Sequence, residues 1–204
     1  MLFSMASTPQ LAQNSAVSRL AKALRPGRVY RREDLKPLTT AVDRHLQEMV
    51  SAGRLTKLAN VLYYAPRQSA YGPVPPTDEA LVAAFLKDDE FLLFSPSAYN
   101  AAGLGTTQLY NRTLVYNRKR HGVFQLGSRQ YDFRVKPRFP RKLSPEFLLV
   151  DALNNLSELA EDSDDVLQRA RPQALKLDAT QLRQALMRYG TVGTRKRVSG
   201  WLDV

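Results

Sequence analysis

Six short segments follow one another in the first third of the chain, and their order constrains the fold more than any other feature. Apolar residues recur at helical spacing from Pro9 to Leu24, and the Arg25-Pro26-Gly27-Arg28 stretch ends this helix. A short extended piece at Val29-Tyr30 precedes a brief helix from Arg31 to Lys36, which ends at Pro37. The chain therefore begins with a helix, a strand and a second helix.

A third helix and a hairpin complete this pattern. Thr39 or Thr40 caps the helix, and Gly53 supplies the position after its end. Two extended runs then flank Ala59-Asn60, where Asn60 is expected to adopt a positive φ. Helix, strand, helix, turn, helix and hairpin is the order of a winged helix-turn-helix, so residues 1–66 are predicted to bind double-stranded DNA.

Periodicity divides the third helix into two faces. The apolar positions, spaced i, i+4, i+7 and i+8, are Val42, Leu46, Met49 and Val50. The candidates for reading base edges, at the helix start and on the opposite side, are Thr39, Thr40, Asp43, Arg44 and Gln47. Asp43 either accepts from a cytosine amine or orients Arg44. The alternative is that these residues only solvate an exposed helix face.

Charge supports a polyanionic partner. The net charge is +11, and residues 1–66 carry ten basic and four acidic side chains. Residues 67–143 carry twelve and six, whereas residues 144–204 carry eight and nine. Such an excess attracts phosphate backbones, although it also serves as a solubilising surface. The candidate phosphate contacts are Arg28, Arg31, Arg32, Arg54, Lys57 and Asn60.

A second domain is predicted after a linker. Gly72 and three prolines lie within residues 67–76, which are typical of a linker. Residues 77–204 are predicted to form a mixed α/β domain with a small antiparallel sheet and a helical C-terminal part, so the whole chain is α+β. A possible basic patch there comprises Arg118, Lys119, Arg120, Arg134, Lys136 and Arg138. It contacts DNA, RNA or an acidic partner, or it is a charged sheet edge that resists aggregation.

The composition argues against an enzyme, a metal site or a bound cofactor. The chain has no cysteine and two histidines, His45 and His121, so thiolate and histidine-rich metal sites are not expected. His45 lies at the apolar edge of the third helix and is expected to pack or hydrogen-bond there. The acidic run from Asp162 to Asp165 is expected to cap a helix. No apolar stretch is long enough for a membrane span, so a cytoplasmic protein is expected.

Several blocks of sequence resemble one family. In the predicted winged helix they run from Gly27 to Leu35, Val42 to Leu46, Gly53 to Leu58 and Val61 to Pro66. A further block runs from Leu93 to Gly105. Together these blocks resemble AbiEi-like antitoxins of type IV toxin–antitoxin systems. The chain departs from that pattern at Ala59-Asn60, where many relatives have Arg-Gly at the wing turn.

This resemblance implies a particular function. It implies a repressor that binds inverted repeats in its own operator through the N-terminal domain. It also implies an antitoxin whose C-terminal domain counteracts a nucleotidyltransferase-like toxin without forming a stable complex with it. The residues themselves leave an alternative open, a winged-helix module that binds protein or RNA and no operator.

Overall fold

The computed structural model describes residues 16–104, 112–159 and 162–202. The fold is α+β, and it comprises two compact units. Unit 1 consists of the chain up to Asp88 together with Gln125–Arg129, and unit 2 consists of the remainder. The predicted start of the first helix, from Pro9 to Ser15, and Gly105 lie outside the described residues.

Unit 1 contains the predicted succession of helices and strands. Its first elements are α1 (Ala16–Ala23), β1 (Val29–Arg31), α2 (Arg32–Leu35), a 3-10 turn (Lys36–Leu38), α3 (Val42–Ser51), β2 (Thr56–Ala59) and β3 (Leu62–Tyr64). The three strands form an antiparallel sheet in the order β1-β3-β2. The core between this sheet and the helices is built on Leu20, Tyr30, Leu35, Leu46 and Met49.

The two ends of α3 differ in how well the sequence predicts them. Gly53 follows the helix with a φ of 68°, a left-handed conformation that glycine adopts without strain, as predicted. At the other end, the cap is Ala41 and no side chain caps the helix. The prediction that Thr39 or Thr40 caps α3 is therefore wrong, because the Thr39 hydroxyl turns inward to His45.

The β2–β3 hairpin is present, but its turn differs from the prediction. Among the described residues other than glycine, Lys87 is the one with a positive φ, so Asn60 does not adopt the left-handed conformation. The register of the hairpin shifts between Lys57 and Ala59.

The segment predicted as a linker is ordered into a second hairpin. Its strands are β4 (Arg67–Ser69) and β5 (Gly72–Val74), and the Tyr64 hydroxyl donates to the Val74 carbonyl over 2.6 Å. The next helix, α4 (Asp78–Leu86), also belongs to unit 1. The first compact unit therefore extends to Asp88, beyond the predicted boundary at residues 67–76.

Unit 2 has a mixed sheet rather than the predicted antiparallel one. The sheet has the strands β6 (Leu92–Phe94), β7 (Thr113–Asn117), β8 (Gly122–Leu126) and β9 (Arg129–Val135) in the order β6-β7-β9-β8. Most of these residues belong to unit 2, whereas Gln125, Leu126 and Arg129 are grouped with unit 1. β7 and β9 pair in parallel. Tyr131, Asp132 and Phe133 of β9 are all buried, which is typical of a central strand. Along β8, exposed residues alternate with partly or fully buried ones, which is typical of an edge strand.

The helical C-terminal part of unit 2 packs around α6. The helices of unit 2 are α5 (Ala98–Ala101), α6 (Pro145–Asn154), a 3-10 turn (Leu156–Glu158), α7 (Ser163–Ala174), α8 (Ala179–Tyr189) and α9 (Val192–Leu202). Residues 146–153 of α6 are all buried. Asp162 accepts from the N–H groups of Asp164 and Asp165, so the acidic run caps α7 as predicted.

Candidate nucleic-acid interface

The two predicted faces of α3 are present. Val42, Leu46 and Met49 are buried in the core of unit 1. Arg44 and Gln47 of α3 are exposed, and so is Thr40, which precedes the helix and does not lie on it as predicted. These three residues, which we call the α3 surface, present a hydroxyl, a guanidinium and an amide, the groups that can hydrogen-bond base edges and phosphates.

A groove of about 730 Å³ lies at the N-terminal end of α3. Its cationic lining residues are Arg19, Arg32, Lys36 and Arg44, and Asp43 is its acidic one. Because no side chain caps α3, the partial positive charge of the helix N-terminus adds to this field. The groove is therefore suited to an anion beside the α3 surface.

Asp43 pairs with Arg32 rather than with Arg44. The guanidinium of Arg32 donates through Nε and Nη2 to the two carboxylate oxygens of Asp43, each over 2.6 Å. The hydrogen bond from Arg32 lowers the pKa of Asp43, and the same bond raises the pKa of Arg32. This two-point contact orients Arg32 at the groove and occupies Asp43, so Asp43 is placed to position a phosphate contact.

A chain of contacts leads from the core to Arg44. Thr39 Oγ1 lies 2.5 Å from Nδ1 of the buried His45, and Arg44 Nη2 lies 3.3 Å from Nε2 of the same ring. A guanidinium can only donate, so His45 Nε2 accepts and Nδ1 carries the hydrogen that it donates to Thr39. His45 is hydrogen-bonded, as predicted. Thr39 is buried and internal, which corrects its assignment as a base-reading residue.

Arg31 is not available for a phosphate contact. Its side chain is buried, and Nη1 donates to the carbonyls of Ala84 and Phe85 over 2.9 and 3.0 Å. These carbonyls belong to the last turn of α4, where a cation is favoured by the helix dipole. The prediction for Arg31 is wrong because the next helix of unit 1, remote in sequence, claims its guanidinium.

The remaining phosphate candidates are exposed. Arg28 precedes β1, and its guanidinium carbon lies 5.5 Å from the centroid of the Tyr30 ring. Arg54 follows the end of α3, Lys57 lies on β2, and Asn60 lies in the β2–β3 turn. All four side chains are accessible, so each remains a candidate contact.

Unit 2 contains a buried polar cluster that the sequence prediction missed. The hydroxyls of Tyr99 and Tyr116 both donate to Asp151 Oδ2, over 2.7 and 2.8 Å, and Asn155 Nδ2 donates to the Tyr116 oxygen over 3.3 Å. Burial raises the pKa of Asp151, and the bonds from the two tyrosines partly oppose this rise. The signal in the sequence was Asp151, the single acid in the otherwise apolar residues 147–153, which indicates a buried carboxylate.

The described residues offer neither a metal site nor a spanning helix. Among residues 16–104, 112–159 and 162–202, no three histidine or acidic side chains are grouped so that they could hold a metal ion. Over the same ranges, no helix combines the length and apolar character that crossing a bilayer requires.

Comparisons with known proteins define the fold and not the family. No protein-family model matches the chain, and no curated protein matches it. The crystal structure of the RV2827C protein from Mycobacterium tuberculosis is similar, with a TM-score of 0.54 and 18% sequence identity. The similarity covers 94% of this chain and 76% of that chain, so the two proteins share an overall fold.

Proposed function

We propose that unit 1 is a winged helix-turn-helix domain that binds double-stranded DNA. In this proposal α3 enters the major groove and the β2–β3 hairpin acts as the wing. The observation that carries the proposal is the position of the α3 surface beside the cation-lined groove at the start of the same helix. Base-reading groups and phosphate-binding charge thus lie on one accessible side of a helix whose other side is buried.

The contacts divide between two roles. Thr40, Arg44 and Gln47 read base edges, and Nε2 of His45 helps to hold Arg44 in place. Arg32, held by Asp43, binds a phosphate at the groove. The outer phosphate contacts are Arg28, Arg54, Lys57 and Asn60.

A gel-shift titration with the DNA upstream of the gene tests this function. We expect a specific shift, and we expect Arg44→Ala to weaken it by about 1–3 kcal/mol and to relax selectivity at one base pair. Arg188→Ala is the matched control, because Arg188 is an exposed arginine on α8 of unit 2. If the folded wild-type protein gives no shift at moderate salt, the chain is instead an interaction module that binds no operator.

We further propose that the chain is a type IV antitoxin that represses its own operon. This step is supported by the resemblance of residues 27–66 and 93–105 to AbiEi-like antitoxins. It requires a neighbouring gene for a nucleotidyltransferase-like toxin, and co-expression of this chain should restore growth without a stable complex. Arg44→Ala should keep this rescue while losing repression. Absence of such a gene, or failure of the folded protein to restore growth, would contradict the antitoxin role.

A further inference from the structure

The parallel pairing of β7 and β9 brings two basic segments together in unit 2. In this register Asn117, at the end of β7, lies opposite Val135, at the end of β9. The segments that follow the two strands, residues 118–121 and 136–142, therefore leave the sheet at the same end. They contain seven basic residues and no acidic one: Arg118, Lys119, Arg120, Lys136, Arg138, Arg141 and Lys142. We call these seven residues the basic end.

One buried residue, Asn117, contacts both segments through its side chain and its backbone carbonyl. Asn117 Oδ1 accepts from the N–H groups of Lys119 and Arg120 over 2.8 and 2.7 Å, and its Nδ2 donates to the Arg120 carbonyl over 2.9 Å. The Asn117 carbonyl accepts from the Lys136 N–H over 2.9 Å. The backbone at Lys119, Arg120 and Lys136 is thus held in place before any partner binds, which lowers the entropic cost of binding.

Some of the basic side chains at this end of the sheet have partners within unit 2, and others are exposed. Glu90 pairs with Arg118 over 2.7 Å and lies 3.8 Å from Arg141. Arg134, a predicted member of the basic patch, is half-buried and pairs with both Asp132 and Glu158, so it is not part of the basic end. Arg138, Arg141 and Lys142 are exposed, so positive charge lies on the surface at this end of the sheet.

Protection of a sheet edge does not explain the cluster. In the order β6-β7-β9-β8, the strands that lead into the basic end are the two central ones. The edge strand β8 has the sequence Gly-Val-Phe-Gln-Leu and carries no charge. The other edge strand, β6, also carries no charge, so the cations of the basic end do not lie on an edge strand.

We propose that the basic end binds the phosphate backbone of a nucleic acid, independently of base sequence and of the α3 surface. The cations are spread over two loops rather than aligned on one helix face, which suits phosphate contact rather than groove readout. The ring of Phe139 is half-buried, with the Arg118 guanidinium carbon 5.8 Å from its centroid, so it is not an open stacking platform.

The test measures how the affinity of the full chain for a short random-sequence duplex falls with salt. The double variant Arg138→Gln and Lys142→Gln should reduce the slope of log affinity against log salt by about 1.8. The matched control, Arg183→Gln with Arg188→Gln, removes two exposed arginines from α8 of the same unit and should leave the slope unchanged. Selectivity for the operator over random DNA should stay the same in both variants.

The remaining outcomes separate this inference from the α3 proposal. The same titration with single-stranded RNA distinguishes the polymer, and a slope change confined to RNA assigns the basic end to RNA. An unchanged slope on both polymers, or an equal loss of slope in the α8 control, overturns the inference, even if Arg44→Ala still relaxes selectivity at one base pair. Weaker binding of poly-glutamate with unchanged nucleic-acid binding would also overturn it, in favour of an acidic protein.

Discussion

Replacing Arg31 by methionine and Arg28 by alanine should produce opposite effects, although the two arginines are three residues apart. Arg31→Met keeps an aliphatic side chain of similar length in the core and removes the guanidinium that holds the end of α4. Arg28→Ala removes an exposed cation that contacts one aromatic ring. We expect the first variant to lose stability and keep DNA binding per folded molecule, and the second to do the reverse.

The magnitude follows from the contacts of Arg31. A hydrogen bond to a charged donor contributes about 1.5–3 kcal/mol, and the carbonyls of Ala84 and Phe85 would both lose this partner. Both bonds share one nitrogen, and Nε of Arg31 is already buried without a partner, so the two contributions do not add fully. We expect a loss of about 2–4 kcal/mol, which lowers the unfolding temperature of unit 1 by roughly 10–20 °C.

Thermal unfolding and salt-dependent DNA binding measure the two effects on the same samples. Arg31→Met should lower the melting temperature and leave the salt slope as in the wild type. Arg28→Ala should leave the melting temperature within about 2 °C and reduce the salt slope by about 0.9. The reasoning is refuted if Arg31→Met melts like the wild type, or if it lowers the salt slope at a temperature where it is fully folded.

Three further changes test other parts of the chain. His45→Phe keeps an aromatic ring in the core but removes the acceptor for Arg44, so selectivity for the operator should fall when Arg44 is present and not in the Arg44→Ala variant. Equal losses of selectivity in both backgrounds would exclude coupling between His45 and Arg44. Burial raises the pKa of Asp151, so the folded state holds a proton that the unfolded chain releases above about pH 4, and stability falls as pH rises. Urea unfolding between about pH 4 and pH 8 should show that Asp151→Asn weakens this fall, whereas identical pH profiles would contradict it. Gly53→Ala should destabilise the protein by about 1 kcal/mol, because φ is 68° at this position; no atom of the described residues lies close to the new Cβ, so the backbone conformation alone causes the loss. Gly193→Ala within α9 should be neutral or stabilising, and equal effects of the two variants in thermal melts would refute the backbone argument.

Local patterns predicted the helix at the centre of the candidate site. The spacing of Val42, Leu46 and Met49 sets which side of α3 is buried, and this follows from the helical repeat alone. The exposure of Arg44 and Gln47 follows from the same repeat. Gly53 marks the end of the helix because its conformation is unfavourable for other residues.

Contacts between residues distant in sequence were not predictable in this way. Arg31 and Arg32 are adjacent and chemically identical, yet one is buried against α4 and the other lies at the groove. The partners of Arg31 are 53 and 54 residues away, and no periodicity connects them. Threonine is a residue type that often caps helix N-termini, but the Thr39 hydroxyl turns inward because His45 lies within hydrogen-bond distance of it.

The sheet of unit 2 shows the same limit and explains why the basic end matters. A turn between β7 and β8 favours a hairpin, and in a β7-β8-β9 meander residues 118–121 and 136–142 would lie at the same end of the sheet but two strands apart. The three consecutive buried residues of β9 instead require a central position, so β9 lies between β7 and β8 and runs parallel to β7. The charge of the two segments can be counted in the sequence, but their position beside one another follows from the order of the strands. A variant in which β9 no longer paired with β7 would therefore move residues 118–121 away from residues 136–142 without removing a cation.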